Sequence, residues 1–134
     1  MIVDDCVIDL ENAAGYRRFI CFALRYADCI GISYTSDFSA FKESRWWEFL
    51  GGSVIKYEYD ESGKLNLFLK IDHITVEWLK GKKDIFDFWQ TDDEEFLWDL
   101  CLYKDGREFF TSITHEKLSY ISEEMWQKYN TKAR

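Results

Sequence analysis

The dominant hydrophobic period of this chain changes at Gly51-Gly52, and that change limits what it can fold into. Before the glycines most apolar residues recur every three or four positions; over the stretch beyond them they mostly alternate. In residues 13–27, Tyr16, Phe19, Ile20, Ala23, Tyr26 and Ala27 share one helical stripe, with Arg17, Arg18 and Arg25 mostly off it. Asn12 is a suitable cap for this helix, and Gly15 weakens its first turn. Cys29–Tyr34 alternates in β-prone residues and reads as a short strand. Residues 38–50 read as a second helix, capped by Asp37 and stopped at Gly51-Gly52.

Beyond the glycines, residues 53–59, 65–71 and 74–79 read as strands, with Asp60-Glu61-Ser62-Gly63 turning between the first two. Residues 85–89 are a further strand candidate. Residues 96–103 and 108–113 flank Lys104-Asp105-Gly106-Arg107, where Asp-Gly tolerates the positive φ of a tight hairpin. A terminal helix over 122–129 starts at Ser122. The expected class is α+β: an antiparallel sheet of about five to six strands with two N-terminal helices and a C-terminal helix packed on one face. Apolar residues on both sides of LNLFL and FLWDLCL imply that mid-sheet is covered twice or that one exposed face is unusually apolar.

The chain has 134 residues, no proline, no repeat and no linker-like stretch, so residues 1–134 are expected to form a single domain. Its 25 Phe, Trp and Tyr residues give ample core material, since each can bury roughly 150–250 Å². Cys6, Cys21, Cys29 and Cys101 form no CxxC pair and have no histidine at zinc-ligand spacing, so reduced core thiols in a cytoplasmic protein are expected. The opening MIVDDC has no basic and apolar leader pattern and no run is long and apolar enough to span a bilayer, so neither a signal peptide nor a membrane span is expected.

Charge is the most localised property of the sequence. Residues 84–99 hold seven acids (Asp84, Asp87, Asp92, Asp93, Glu94, Glu95, Asp99) and no Lys or Arg, which is −7 of a net −8. Nucleic acid and anionic membranes are poor partners for such a chain, because both demand a clustered basic surface. Taken alone, Asp92-Asp93-Glu94-Glu95 reads as a solvated loop. Consecutive acids point in different directions and lack the turn spacing and glycine of a calcium loop, so no metal site is expected. The interleaved Phe86, Phe88, Trp89, Phe96 and Trp98 change the reading: aromatic anchors and a field of one sign are what a protein-binding surface uses. Trp47, nearly opposite the face set by Phe38, Phe41 and Phe49, either packs under a loop or stands exposed as a second contact point.

Catalytic patterns are missing. His73 is expected in a turn, and His115-Glu116 lacks an HExxH frame or third ligand. There is no GxSxG elbow and no glycine-rich phosphate loop, so neither an enzyme nor a cofactor is expected. An unfamiliar site around His73 or His115 would need an imidazole in a pocket with a carboxylate in reach.

Residues 96–121 (FLWDLCLYKDGREFFTSITHEKLSYI) resemble the C-terminal part of small acidic bacterial immunity proteins of polymorphic-toxin systems. The shared features are an acidic lead-in, a strand ending near Lys104-Asp105-Gly106, a second strand and a Ser-Ile-Thr-His-Glu close, about a fifth of the chain. The resemblance implies inhibition of a cognate toxin by protein–protein binding, with an acidic face against a basic active site. It transfers no functional residue. The expected contact residues are therefore those that charge and aromatic placement single out: Trp47, Asp84, Asp87, Trp89, Asp92, Asp93, Glu94, Glu95 and Trp98. The competing expectation is a structural or regulatory domain that acts through self-association, as a homodimer for example, without a heterologous partner.

Overall fold

Side-chain caps set where several of the elements start. In the computed structural model, which describes residues 5–87 and 97–132, the Asn12 carboxamide accepts from the Gly15 amide and opens α1 (Ala13–Ala23). Asp37 does the same for α2 (Phe38–Glu43). The Asp72 carboxylate accepts from the Ile74 and Thr75 amides, and the Thr75 hydroxyl accepts from the Asp72 amide, a reciprocal box that starts α4 (His73–Lys80). Ser53 donates to the second Asp72 oxygen at 2.7 Å.

The remaining elements are β1 (Asp5–Val7), β2 (Cys29–Tyr34), α3 (Arg45–Leu50), β3 (Val54–Tyr59), β4 (Leu65–Lys70), β5 (Leu97–Lys104), β6 (Arg107–Ile113), β7 (Leu118–Ser122) and α5 (Glu123–Lys132). Among the described residues the strands form one seven-stranded antiparallel sheet in the order β1-β7-β6-β5-β2-β4-β3. The α+β class holds, with more strands and more helices than the sequence suggested.

Five expectations are corrected. Residues 74–79 are not a strand but most of α4: the Asp72–Thr75 box nucleates a helix, and Thr75 and Leu79, one turn apart, are its buried face. His73 accordingly opens a helix rather than sitting in a turn. The helix expected over 38–50 is broken at Ser44, whose backbone is extended (φ −83°, ψ 163°) and whose hydroxyl donates to the Phe41 carbonyl at 2.6 Å. The break re-aims α3, so Trp46 is buried and Phe49 exposed. Residues Ile85–Asp87 are a turn rather than the start of a strand, and Phe88 and Trp89 lie outside the described residues. The first helix also ends at Ala23, short of residue 27.

The helices share one face of the sheet. Phe19 of α1 meets Phe110 of β6 at 4.9 Å, Tyr129 of α5 meets Phe19 at 5.4 Å, and Phe41 of α2 meets Tyr34 of β2 at 5.2 Å. Tyr16 ties α1 to α4 by donating to the Leu79 carbonyl. Register sets Ile30, Leu69 and Leu102 on this side, with Ile32 and Leu67 behind them, all buried.

On the opposite face the pairing lines up Val7, Tyr120, Thr111, Cys101, Gly31, Phe68 and, at the bulged end, Lys56 as one cross-sheet row. Among the described residues no helix packs there, and Phe68, Tyr103, Ile113, Leu118 and Tyr120 are half-buried. This is the unusually apolar face that the sequence implies. The Tyr103 ring lies flat enough over β2 that a Cβ at position 31 would come within 2.8 Å of it, which is why a glycine stands there.

Candidate protein-binding surface

The acidic segment is pinned to the core where it begins. Ile85 and Phe86 are buried, and the Ile85 amide donates to the Leu10 carbonyl at 3.3 Å. Asp84 accepts from the Phe86 amide at 2.8 Å and Asp87 from the Lys83 amide at 2.9 Å, so both carboxylates are spent partly on closing turns. Both stand half-buried, and Lys117 lies 5.1 Å over the Phe86 ring. Phe86 is therefore a core residue. Burial above all, with smaller contributions from Asp87 and Asp84, holds the Tyr16 hydroxyl un-ionised.

The segment returns to the sheet at Leu97. Leu97 is buried on the helix side, and Trp98 pairs with Ser33 on the open side, half-buried. Lys64 sits 5.4 Å over the Trp98 ring and 3.6 Å from the Asp99 carboxylate; His115 packs beside the indole at 6.1 Å. Asp99 adopts left-handed backbone (φ 56°) where the β2–β5 register shifts, a bulge conformation that aspartate tolerates. Its carboxylate accepts from the Thr114 amide at 2.7 Å and its amide donates to the Thr114 hydroxyl at 3.1 Å. Of the seven acids, Asp99 is thus neutralised internally and belongs to the scaffold that aims Trp98.

Beside Trp98 lies a shallow depression of about 420 Å³ at the end of β2, lined by Tyr34, Asp37, Tyr59, Lys64 and the indole itself. Tyr59 connects it to a second aromatic group. The Phe38 amide donates to the Tyr59 hydroxyl at 3.0 Å, and Phe38 stacks on Tyr57 at 3.9 Å with ring planes 9° apart. Trp47 abuts Phe38 and Phe41 edge-on at 6.1 and 5.9 Å, and its ring covers Gly51 so closely that a Cβ there would stand 2.7 Å away. Trp47 is half-buried and takes the packing alternative; it buttresses the surface from two rings away rather than sharing a patch with Trp98.

The structure brings Trp98 and Tyr59 together and sets Asp84 and Asp87 at the base of the acidic segment. Trp89, Asp92, Asp93, Glu94 and Glu95, with Phe88 and Phe96, lie outside the described residues. Sequence reasoning missed Ile55, Tyr57 and Tyr59, all exposed on β3. Their strand is legible, but its place at the edge of the sheet is not, because edge and interior strands share the same alternation.

Other chemistry is sparse. Burial, followed by the Glu108 carboxylate, pushes the Cys101 thiol well above an ordinary cysteine, and its sulfur sits 3.2 Å from the Thr111 hydroxyl, so it is a poor nucleophile. Cys6, Cys21 and Cys29 are also free thiols. Among the described residues no three His, Cys, Asp or Glu side chains are grouped to hold a metal ion, and no helix is long and apolar enough to cross a membrane. A groove of about 1050 Å³ between the β5–β6 hairpin and α5 is lined by residues including Tyr26, Tyr103, Arg107, Glu108 and Lys128, but by neither histidine.

No protein-family model matches the sequence, and neither a curated protein nor a solved structure matches it significantly.

Proposed function

We propose that this chain is a protein-binding domain rather than an enzyme, and that it inhibits a basic partner by occlusion, as a bacterial immunity protein does with its toxin in the cytoplasm. The observation that carries the reading is the junction in sequence of the acidic stretch with the aromatic start of β5. A segment holding −7 of the net −8 charge leads in sequence into Trp98, which stands half-buried beside a shallow concavity. Carboxylates of Asp92, Asp93, Glu94 and Glu95 would take the place of an anionic substrate on the partner, such as the phosphates of a nucleic acid on a nuclease. Trp98 would supply the desolvated anchor that a charged field lacks, since steering speeds encounter while a buried aromatic slows release. Asp84 and Asp87 would fix the direction in which the segment leaves the core.

The test is to change Asp92, Asp93, Glu94 and Glu95 together to their amides and measure association with the product of the adjacent gene. At low salt the association rate is expected to fall on the order of tenfold, because steering of this kind is worth roughly 10–1000-fold. An unchanged association rate contradicts the role given to the acids. The second reading, a structural or regulatory domain acting through self-association, is favoured by one observation: the outer edge of β3 is unpaired among the described residues and carries Ile55, Tyr57 and Tyr59 exposed.

A further inference from the structure

We infer that β3 is the docking edge for a second copy of this chain, joined antiparallel about a two-fold axis through Tyr57. Among the described residues β3 pairs only with β4, so one side of its backbone is open to another strand. From Ile55 to Tyr59 every residue is exposed, and the strand splits into two classes. Tyr57 and Tyr59, 45% and 49% exposed, lie toward the helix side, where Tyr57 stacks on Phe38, and Ile55, 57% exposed, stands at the bulge where the β3–β4 register shifts. Lys56 and Glu58 lie on the open face, where Lys56 sits 4.8 Å over Phe68 and 3.1 Å from the Glu58 carboxylate.

This pattern is self-complementary in one register. A two-fold axis perpendicular to the sheet keeps each face on its own side, so the centre of the pairing must be a residue and not a gap between residues. Centred on Tyr57, the pairing sets Lys56 opposite Glu58 of the second copy and Glu58 opposite its Lys56, which joins two intrachain ion pairs into one four-charge network. On the other face Tyr57 meets its own symmetry mate, and Tyr59 reaches the bulged end of the partner strand at Ile55. Centring on Lys56 would oppose two ammonium groups, and centring on Glu58 would oppose two carboxylates. A parallel in-register pair would oppose like charges at both positions. Edges that avoid partners usually place lysine so that any approach is repulsive; here the adjacent glutamate cancels that protection for an antiparallel copy alone.

The inferred dimer edge and the partner surface share Tyr59, which lines the depression beside Trp98, while Trp98 itself lies on β5, three strands from β3 in the sheet. Its test uses the full chain in sedimentation equilibrium at about 50 µM, a concentration at which micromolar interfaces are populated. The expected mass is twice the 16.1 kDa of one chain, and a monomer overturns the inference. Lys56→Glu sets four carboxylates together and Glu58→Lys four ammonium groups; each change alone is expected to raise the dimer dissociation constant at least about tenfold. Both positions are more than half exposed, so the fold should persist, which circular dichroism checks. Mixing the two single variants is the decisive arm: a chain with two acids and a chain with two bases should pair as a heterodimer. Dimers that survive either single change, or a mixture that stays monomeric, overturn the register.

Discussion

Phe110→Ala is expected to lower the unfolding free energy by about 3–5 kcal/mol, the usual cost of emptying a fully enclosed aromatic site. Phe110 is wholly buried, lies opposite Ile121 and Leu102 on neighbouring strands, and is the ring on which Phe19 of α1 rests. Phe19 in turn carries Tyr129 of α5. Removing one ring therefore loosens the contact of two helices with the sheet at once. Thermal unfolding followed by circular dichroism reads the effect as a drop in Tm on the order of 10–20 °C, at about 4 °C per kcal/mol. Phe110→Leu, which keeps most of the volume, should recover more than half of the loss. A variant that unfolds within a few degrees of the parent would contradict the placement of the core.

Trp98→Ala is expected to have the largest effect on partner binding, about 2 kcal/mol or more, which is roughly 30-fold in Kd. The loss should sit in the dissociation rate, since an aromatic anchor acts after encounter. Its effect on folding should be smaller than that of Phe110→Ala: the indole is half-buried rather than enclosed, and the contacts it gives up include His115 and a cation–π pair with Lys64 worth about 0.5–1 kcal/mol. Surface plasmon resonance on the variant separates the two rates. A Kd unchanged by Trp98→Ala would remove the anchor. Trp98→Phe, which preserves a ring over which Lys64 can lie, is expected to fall between the parent and the alanine variant.

The β5–β6 hairpin is legible in the sequence because Asp105 and Gly106 both take positive φ, a demand that few other residue pairs meet. The helix α1 is legible from its stripe, and Tyr16, Phe19 and Ile20 are all wholly buried. The helix α4 reads wrongly as a strand because Ile74, Val76 and Trp78 alternate as a strand would, while the decisive signal is the Asp72–Thr75 box at its start. The strand β7 escapes sequence reasoning because it is entered through Lys117 in left-handed backbone, a position with no glycine to announce a turn. At the candidate surface, charge and composition single out the acids and Trp98 as candidates. They do not reveal the neutralisation of Asp99 by Lys64, the burial of Phe86 or the exposure of β3, because each depends on which strand neighbours which.

The most direct measurement of the central claim is the association rate with the partner as a function of ionic strength, for the parent chain and for the variant with Asp92, Asp93, Glu94 and Glu95 converted to amides. If the 84–99 segment steers the encounter, the parent's rate should fall steeply as salt shortens the Debye length from about 30 Å at 0.01 M to about 8 Å at 0.15 M, and the variant's should be slower and nearly flat. The two lines should then converge at high salt. Parallel lines, or a parent rate indifferent to salt, would contradict the claim.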